Sequence, residues 1–271
     1  MTNPVILADL DDTLFQTRRK MVDELALAPY KTGALDRSLA PRSFMTQEQA
    51  MLVDWMLEHA DLIPVTARGT EEMSRVTIPF HSWAITTHGA VVLTPEKVAD
   101  EQWQHHITQS LTPYKQPLLR LQQSITQLMA ERNIDGWARI NYEYDDLPVY
   151  LVMKHNDSAR LDELYAIGDE IEKIFSTKGF YIHRNSNNIA WLPEPIEKGK
   201  AVTYLLNKLK AERGVFPVIG FGDSLSDHRF MKLCNWYAIP RQSQFANAIN
   251  TKIFGDKHDG SSAFFRLLST G

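Results

Sequence analysis

Three short apolar runs that break off into polar residues constrain this chain more than any other feature. They are PVILADLDDT (4–13), DLIPVTARGT (61–70) and FPVIGFGDSLSD (216–227). Each has the length of a strand and is apolar almost throughout, without the alternation of a sheet that has one wet face. That is the pattern of parallel strands covered on both sides. Helical patterns lie between the runs. MTQEQAMLVDWMLEHA (45–60) carries apolar residues at helical spacing behind an N-cap at Thr46. KGKAVTYLLNKLKAERG (198–214) is a second amphipathic helix, which Gly214 stops. This alternation predicts an α/β fold with a doubly wound parallel sheet. In such sheets the active groups collect at the carboxyl ends of the strands, so the polar ends of the three runs are expected to meet at one site.

The middle of the chain has a different texture. After ITTHGAVVL (85–93) come a polar stretch and a helix over about 113–132. Two strands follow, in ARINYEYD and PVYLVMKHN, separated by a turn at Asp145, Asp146, Leu147 and Pro148. A helix over about 158–176 precedes FYIHRN and NIAWLPE, joined around Ser186 and Asn187. This reads as an α+β unit inserted at about 94–193, with 1–93 and 194–271 forming the α/β core. Residues 18–45, including the turn-rich KTGALDRSLAPRS, read equally as a flap over the site or as a surface loop.

At 271 residues the chain accommodates one large domain or two ordinary ones. A formal net charge of −4, with no basic block interleaved with aromatics, gives no pull toward nucleic acid or an anionic membrane. No apolar run approaches the roughly 20 residues of a membrane span. The N-terminus lacks the basic and long apolar regions of a signal peptide. The single cysteine, Cys234, rules out an intrachain disulfide and suits a reducing cytoplasm. Within FMKLCNW it reads as a small buried hydrophobe rather than a nucleophile. A soluble cytoplasmic protein is expected.

The acids at the strand ends carry the chemistry. Asp9, Asp11 and Asp12 follow one apolar run, and Asp223 and Asp227 follow another, where Gly220 and Gly222 permit close backbone approach. Clustered carboxylates are costly without a cation, and Mg²⁺ suits a few carboxylate oxygens completed by water and a phosphate. For Asp12 and Ser224, capping of a following helix is an equal alternative. Thr66 offers a hydroxyl and a backbone N–H at a strand end, and Lys198 a cation at a helix N-terminus, which itself favours anions. Taken singly, Thr66 reads as a cap and Lys198 as a solvated surface lysine.

Taken together and in order, these elements resemble the haloacid dehalogenase-like (HAD) hydrolase superfamily. DLDDT (9–13) matches its DxDx(T/V) motif, and Thr66 at the end of LIPVT matches its second motif. Lys198 in EKGKAV matches the third and GDSLSD (222–227) the fourth. The αββαββ order of the insert is similar to a type C2B cap, which sets the chain beside Cof-type and sucrose-phosphatase-like phosphatases. There are departures. Thr66-Ala67-Arg68 stands where many relatives have TGR, His88 where many have asparagine, and Ser226 where many have GDSxND. WLPEPIEKGKA is similar to the approach to the lysine motif in sugar-phosphate phosphatases.

The resemblance implies a Rossmann-like core with an inserted cap, and an Mg²⁺-dependent phosphatase for a small-molecule phosphoester, foremost a sugar phosphate. It implies Asp9 as nucleophile and Asp11 as general acid and base. It places Mg²⁺ on Asp9, the backbone carbonyl of Asp11 and Asp223, with Asp227 in support. Thr66, with Ala67 and Arg68 beside it, and Lys198 would hold phosphoryl oxygens, and Thr13 would orient the nucleophile loop. Lys154, His155, Arg184 and Asn187 are candidate cap contacts, each weighed against a solvated hairpin edge. Trp137 and Trp191 read as packing. Two rivals stand: a phosphomutase forming the same intermediate, and a non-catalytic phosphometabolite sensor.

Overall fold

In the computed structural model, residues 3–157, 159–185 and 188–254 are described. In chain order, β1 (Val5–Ala8) is followed by β2 (Gln16–Thr17), β3 (Lys31–Leu35), β4 (Pro41–Met45), α1 (Gln47–His59) and β5 (Asp61–Pro64). Next come α2 (Thr70–Met73), β6 (Ala84–Thr86), β7 (Val91–Leu93), α3 (Glu101–Leu111) and α4 (Lys115–Glu131). The strands β8 (Gly136–Glu143) and β9 (Leu147–His155), helix α5 (Leu161–Ile174), and strands β10 (Phe180–Asn185) and β11 (Asn188–Pro193) follow. The chain continues through α6 (Lys198–Arg213), β12 (Val218–Phe221), α7 (His228–Met231), β13 (Trp236–Ala238) and α8 (Gln244–Phe254). Contacts divide it into two units. One comprises Met1–Val65, Arg75–Ser82 and Lys210–Gly271, the other Thr66–Ser74 and Trp83–Leu209.

The first unit holds a parallel sheet in the order β13-β12-β1-β5. Val5 to Ala8 are all at most 1% exposed, which explains the unbroken apolar run. The strand after β1 in this sheet, β5, pairs with one edge of β1, and β12 with the other. The order therefore reverses between β1 and β12, the switch point at which doubly wound sheets build sites. Helix α1 starts where its sequence signal lies. Gln49 N–H donates to the Thr46 hydroxyl (3.2 Å), and Thr46 N–H donates to the Gln49 side chain (2.9 Å), a reciprocal cap. Its buried stripe is Ala50, Val53 and Met56.

Residues 18–45 are largely ordered structure rather than loop. A single π-helical turn (Lys20–Glu24) leads into β3 and β4, and the three short strands form an antiparallel sheet in the order β2-β4-β3. The turn-rich composition belongs to the hairpin: one Asp36 carboxylate oxygen accepts from Ser38 N–H (2.8 Å), the Ser38 hydroxyl (2.7 Å) and Ala40 N–H (3.0 Å).

The second unit holds an antiparallel sheet in the order β10-β11-β9-β8, with α4 and α5 packed on one face. Leu118, Leu121 and Ile125 of α4 and Leu164, Ile167 and Ile171 of α5 meet Ile140, Leu151, Met153, Ile189 and Trp191. The helix, hairpin, helix, hairpin order expected from sequence is present. The polar stretch before it is not a loop, for α3 lies there. Trp103, Ile107 and Leu111 form its buried stripe and Asp100 caps it through Trp103 N–H (2.9 Å). The polar residues around it, Gln102, Gln104, His105, His106, Thr108 and Gln109, hide that stripe in the sequence. No helix among the described residues is long and apolar enough to cross a membrane.

Candidate active site

In the first unit, parallel register brings two distant acids together. Asp9 N–H donates to Phe221 O (2.9 Å), and Val65 N–H donates to Ala8 O (2.8 Å). The ladder thus runs one residue past β1 and leaves Asp9 beside the end of β12, two residues before Asp223. Asp9, Asp223 and Asp227 each offer a carboxylate oxygen within 4.8 Å of the others. Asp9 is 6% exposed, Asp227 is 1% exposed, and Asp223 is half-buried. Asp11, also half-buried, is not one of the three.

The trio is held by its own loop. The Asp227 carboxylate accepts from Ser224 N–H (3.1 Å) and from the Ser224 hydroxyl (2.6 Å), while Asp227 N–H donates to Ser224 O (3.0 Å). The Thr13 hydroxyl donates to Asp223 at 3.4 Å, and Gln49 of α1 donates to Thr13 O at 3.3 Å. Gly222 is required for the packing. A Cβ there would lie 2.5 Å from the Asp227 Cβ and 2.7 Å from the Met231 sulfur. Three carboxylates this close repel unless a cation joins them, and an all-oxygen donor set fits a hard divalent ion.

The capping alternatives for Asp12 and Ser224 are overturned. Asp12 is followed directly by a turn and then β2, and the helical turn at Lys20–Glu24 starts too far on for it to cap. Asp12 takes a left-handed turn (φ 64°), donates its N–H to Phe15 O (2.8 Å) and pairs with Lys20 (2.6 Å). Ser224 spends its side chain on Ser226 and Asp227, and α7 begins after Asp227 with no side-chain cap. Cys234 is half-buried rather than buried, and desolvation pushes its thiol up to about 12, which keeps it protonated and speaks against a nucleophile.

Thr66, Arg68 and Lys198 belong to the second unit. Thr66 is 1% exposed. Its N–H donates to Ile85 O (2.9 Å), so only the hydroxyl is left for a ligand. That hydroxyl accepts from Arg68 N–H (3.1 Å), which leaves its proton to donate. Ala67 and Arg68 are half-buried. Lys198 opens α6 and is 8% exposed, so it is no solvated surface lysine. The turn Thr87-His88-Gly89 lies between them. His88 N–H donates to Thr66 O (3.1 Å), and a Cβ on Gly89 (φ 97°) would lie 2.6 Å from Glu197 O and 3.1 Å from Lys198 N. Its sequence signal is a glycine just after a β-strand, where a left-handed residue reverses the chain.

The expected cap contacts divide. Lys154 is half-buried on β9, its ammonium 6.0 Å from the Trp137 ring. Arg184 is engaged within its unit, paired with Glu172 and with Asp169 (2.7 Å), and these acids hold its guanidinium firmly charged. His155 is turned inward, its Nε2 3.3 Å from Glu163 and its Nδ1 accepting from Asp157 N–H. Asn187 lies outside the described residues. Of the two tryptophans, Trp191 is core, while Trp137 stands half-buried beside Arg139 (5.2 Å).

No protein-family model matches the chain, and no curated protein matches it. Solved structures do. The sucrose-phosphatase of Synechocystis, in complex with sucrose and phosphate, is 16% identical over 95% of this chain and 90% of its own, with a TM-score of 0.48. A trehalose-6-phosphate phosphatase related protein is 18% identical over 84% of this chain and 81% of its own, with a TM-score of 0.48. A haloacid dehalogenase-like hydrolase from Bacteroides thetaiotaomicron is 11% identical over 93% of this chain and 100% of its own, also at 0.48.

Proposed function

We propose that this chain is an Mg²⁺-dependent phosphatase of the haloacid dehalogenase type, hydrolysing a small phosphorylated metabolite, foremost a sugar phosphate, through an aspartyl-phosphate. The observation that carries the reading is the Asp9, Asp223 and Asp227 trio at a sheet switch point. Its support is the four motifs, in order, that contribute Asp9, Asp11, Thr66, Lys198 and the trio's remaining acids.

Asp9, Asp223 and Asp227, with the Asp11 carbonyl, are the groups to hold the ion, and Thr13 steadies Asp223. When bound, Mg²⁺ supplies positive charge against the phosphoryl oxygens and lets the acids ionise side by side. An Asp9 carboxylate oxygen attacks phosphorus, and the bond to the leaving oxygen breaks. Asp11 gives that oxygen a proton, then takes one from the water that hydrolyses the acyl phosphate, releasing inorganic phosphate and restoring both carboxyl groups. The Thr66 proton and the Lys198 ammonium are assigned to phosphoryl oxygens, where fixed donors stabilise developing charge. The insert at 94–193 acts as a cap that excludes water and selects the leaving group.

The test is phosphate release over a panel of phosphorylated metabolites with Mg²⁺, run beside Asp9→Asn. We expect release by the natural chain and none by the variant, with the variant still folded by circular dichroism. Undiminished release by the variant refutes Asp9 as nucleophile. An isomeric product without phosphate release gives the reaction to a mutase, and tight binding without turnover gives it to a sensor.

A further inference from the structure

The turn between Thr66 and Lys198 is strained, and something must hold it. Thr87 (φ 52°), His88 (57°) and Gly89 (97°) are three successive left-handed residues, of which only glycine takes that conformation readily. Such backbone persists only where the surroundings over-determine it, and it clusters at functional sites. Here the surroundings are the tip of the β8–β9 hairpin. A Glu143 carboxylate oxygen accepts from the Thr87 hydroxyl (2.5 Å) and from Thr70 N–H (3.0 Å). The next residue, Tyr144, donates its hydroxyl to Ala90 O (2.9 Å). On the far side, Trp103 Nε1 donates to Gly89 O (3.1 Å), and the His88 ring packs edge-on to Tyr150 at 5.1 Å.

One carboxylate oxygen therefore joins two separate loops. Thr70 ends the stretch that starts at Thr66, and Thr87 N–H already donates to Arg68 O (2.7 Å). Without Glu143, the 66–70 loop and the 87–89 turn keep their backbone bonds but lose the charged acceptor between them. All these groups lie in one unit.

We infer that Glu143 is a positioning residue, holding the 66–70 loop against the 87–89 turn so that the Thr66 hydroxyl and Arg68 stay aimed. The catalytic part of the inference rests on the proposed phosphatase reading. The mechanical part does not. The bland account, in which Glu143 merely caps the short helix α2, predicts a change in stability and nothing else.

The experiment compares the full chain with Glu143→Ala, Glu143→Gln and Thr87→Val. It measures amide hydrogen exchange at Thr70 and over 87–90, and kcat and KM on the best substrate of the panel. Glu143→Ala is expected to speed exchange at Thr70 and to lower kcat roughly 10- to 100-fold, the value of a charge-assisted hydrogen bond. KM should move far less. Glu143→Gln keeps an acceptor oxygen and should recover most of kcat, and Thr87→Val should add little on top of Glu143→Ala, since the two act as one unit. Unchanged exchange at Thr70 overturns the clamp. Faster exchange with kcat within about 2-fold of the natural chain overturns its role in positioning. Equal losses in Glu143→Gln and Glu143→Ala, tracking lost stability, overturn it in favour of the bland account. If the natural chain releases no phosphate from any substrate, the phosphatase reading fails, and exchange at Thr70 still decides the clamp. Should Glu143→Ala fail to fold, Glu143→Gln and Thr87→Val decide by the same readouts.

Discussion

Asp223→Asn should make the protein more stable without metal and less responsive to it. The Asp9, Asp223 and Asp227 oxygens lie within 4.8 Å of one another. At an effective dielectric of about 20, each ionised pair at that distance repels by roughly 3.5 kcal/mol. Asparagine at 223 removes two of the three pairs. Asp223 is half-buried, and the acids have other partners as well, so screening cuts the gain to about 1–3 kcal/mol. Against it stands the Thr13 hydroxyl bond to Asp223, weak at 3.4 Å, which asparagine can still accept. Binding a cation at a hundred times its Kd stabilises the folded state by about 2.7 kcal/mol, and this gain needs the acids. The assay is thermal unfolding of both proteins in chelator and across a Mg²⁺ titration, at fixed ionic strength. In chelator the variant should melt several degrees higher, at about 2–4 °C per kcal/mol for a chain of this size. In Mg²⁺ at a hundred times its Kd that lead should close or reverse. A variant that melts lower in chelator and gains as much from Mg²⁺ as the natural chain would refute the reasoning, because the three acids would then neither repel nor share an ion.

Two further perturbations probe other links. Gly222→Ala puts a Cβ 2.5 Å from the Asp227 Cβ, so it should cost about 1–3 kcal/mol in denaturant unfolding and weaken the Mg²⁺ response through Asp227; an unchanged melting curve and metal titration would show that the loop adjusts freely. At Asp100, burial raises the carboxyl, but Lys208, Tyr204 and Trp103 N–H outweigh it and hold the group below the usual carboxylate range. A depressed folded value gives stability that is present above the unfolded value near 3.9 and is lost as pH falls through the folded one. Asp100→Asn should therefore cost about 1.5–3 kcal/mol at neutral pH and less below pH 4, read from denaturant curves between pH 7 and 3; parallel stability profiles for the two proteins would contradict this.

The parts of the molecule that one can read from a line of residues are those set by neighbours in the chain. Unbroken apolar runs mark β1, β5 and β12 because both faces of those strands are dry. Thr46 and Gln49 mark the start of α1, and Gly214 the end of α6, because capping reaches only three or four residues. Where a polar face outweighs the buried stripe, as in α3, the same reading fails. It fails also at residues 31–45, where turn chemistry conceals a hairpin whose strands are short.

The carboxylates of Asp9 and Asp223 could be suspected separately, but nothing local brings together residues more than two hundred positions apart. The ladder from Asp9 to Phe221 does so, because parallel register is settled by the packing of whole strands. The same holds elsewhere. That the Thr66 amide is consumed by Ile85, that Arg184 is absorbed by Asp169 and Glu172, and that Glu143 reaches Thr70 and Thr87 are facts of long-range contact. Residue types can announce which groups are able to react. Which of them are left with a hydrogen-bonding capacity to use is settled only when the rest of the chain has folded around them and taken its share.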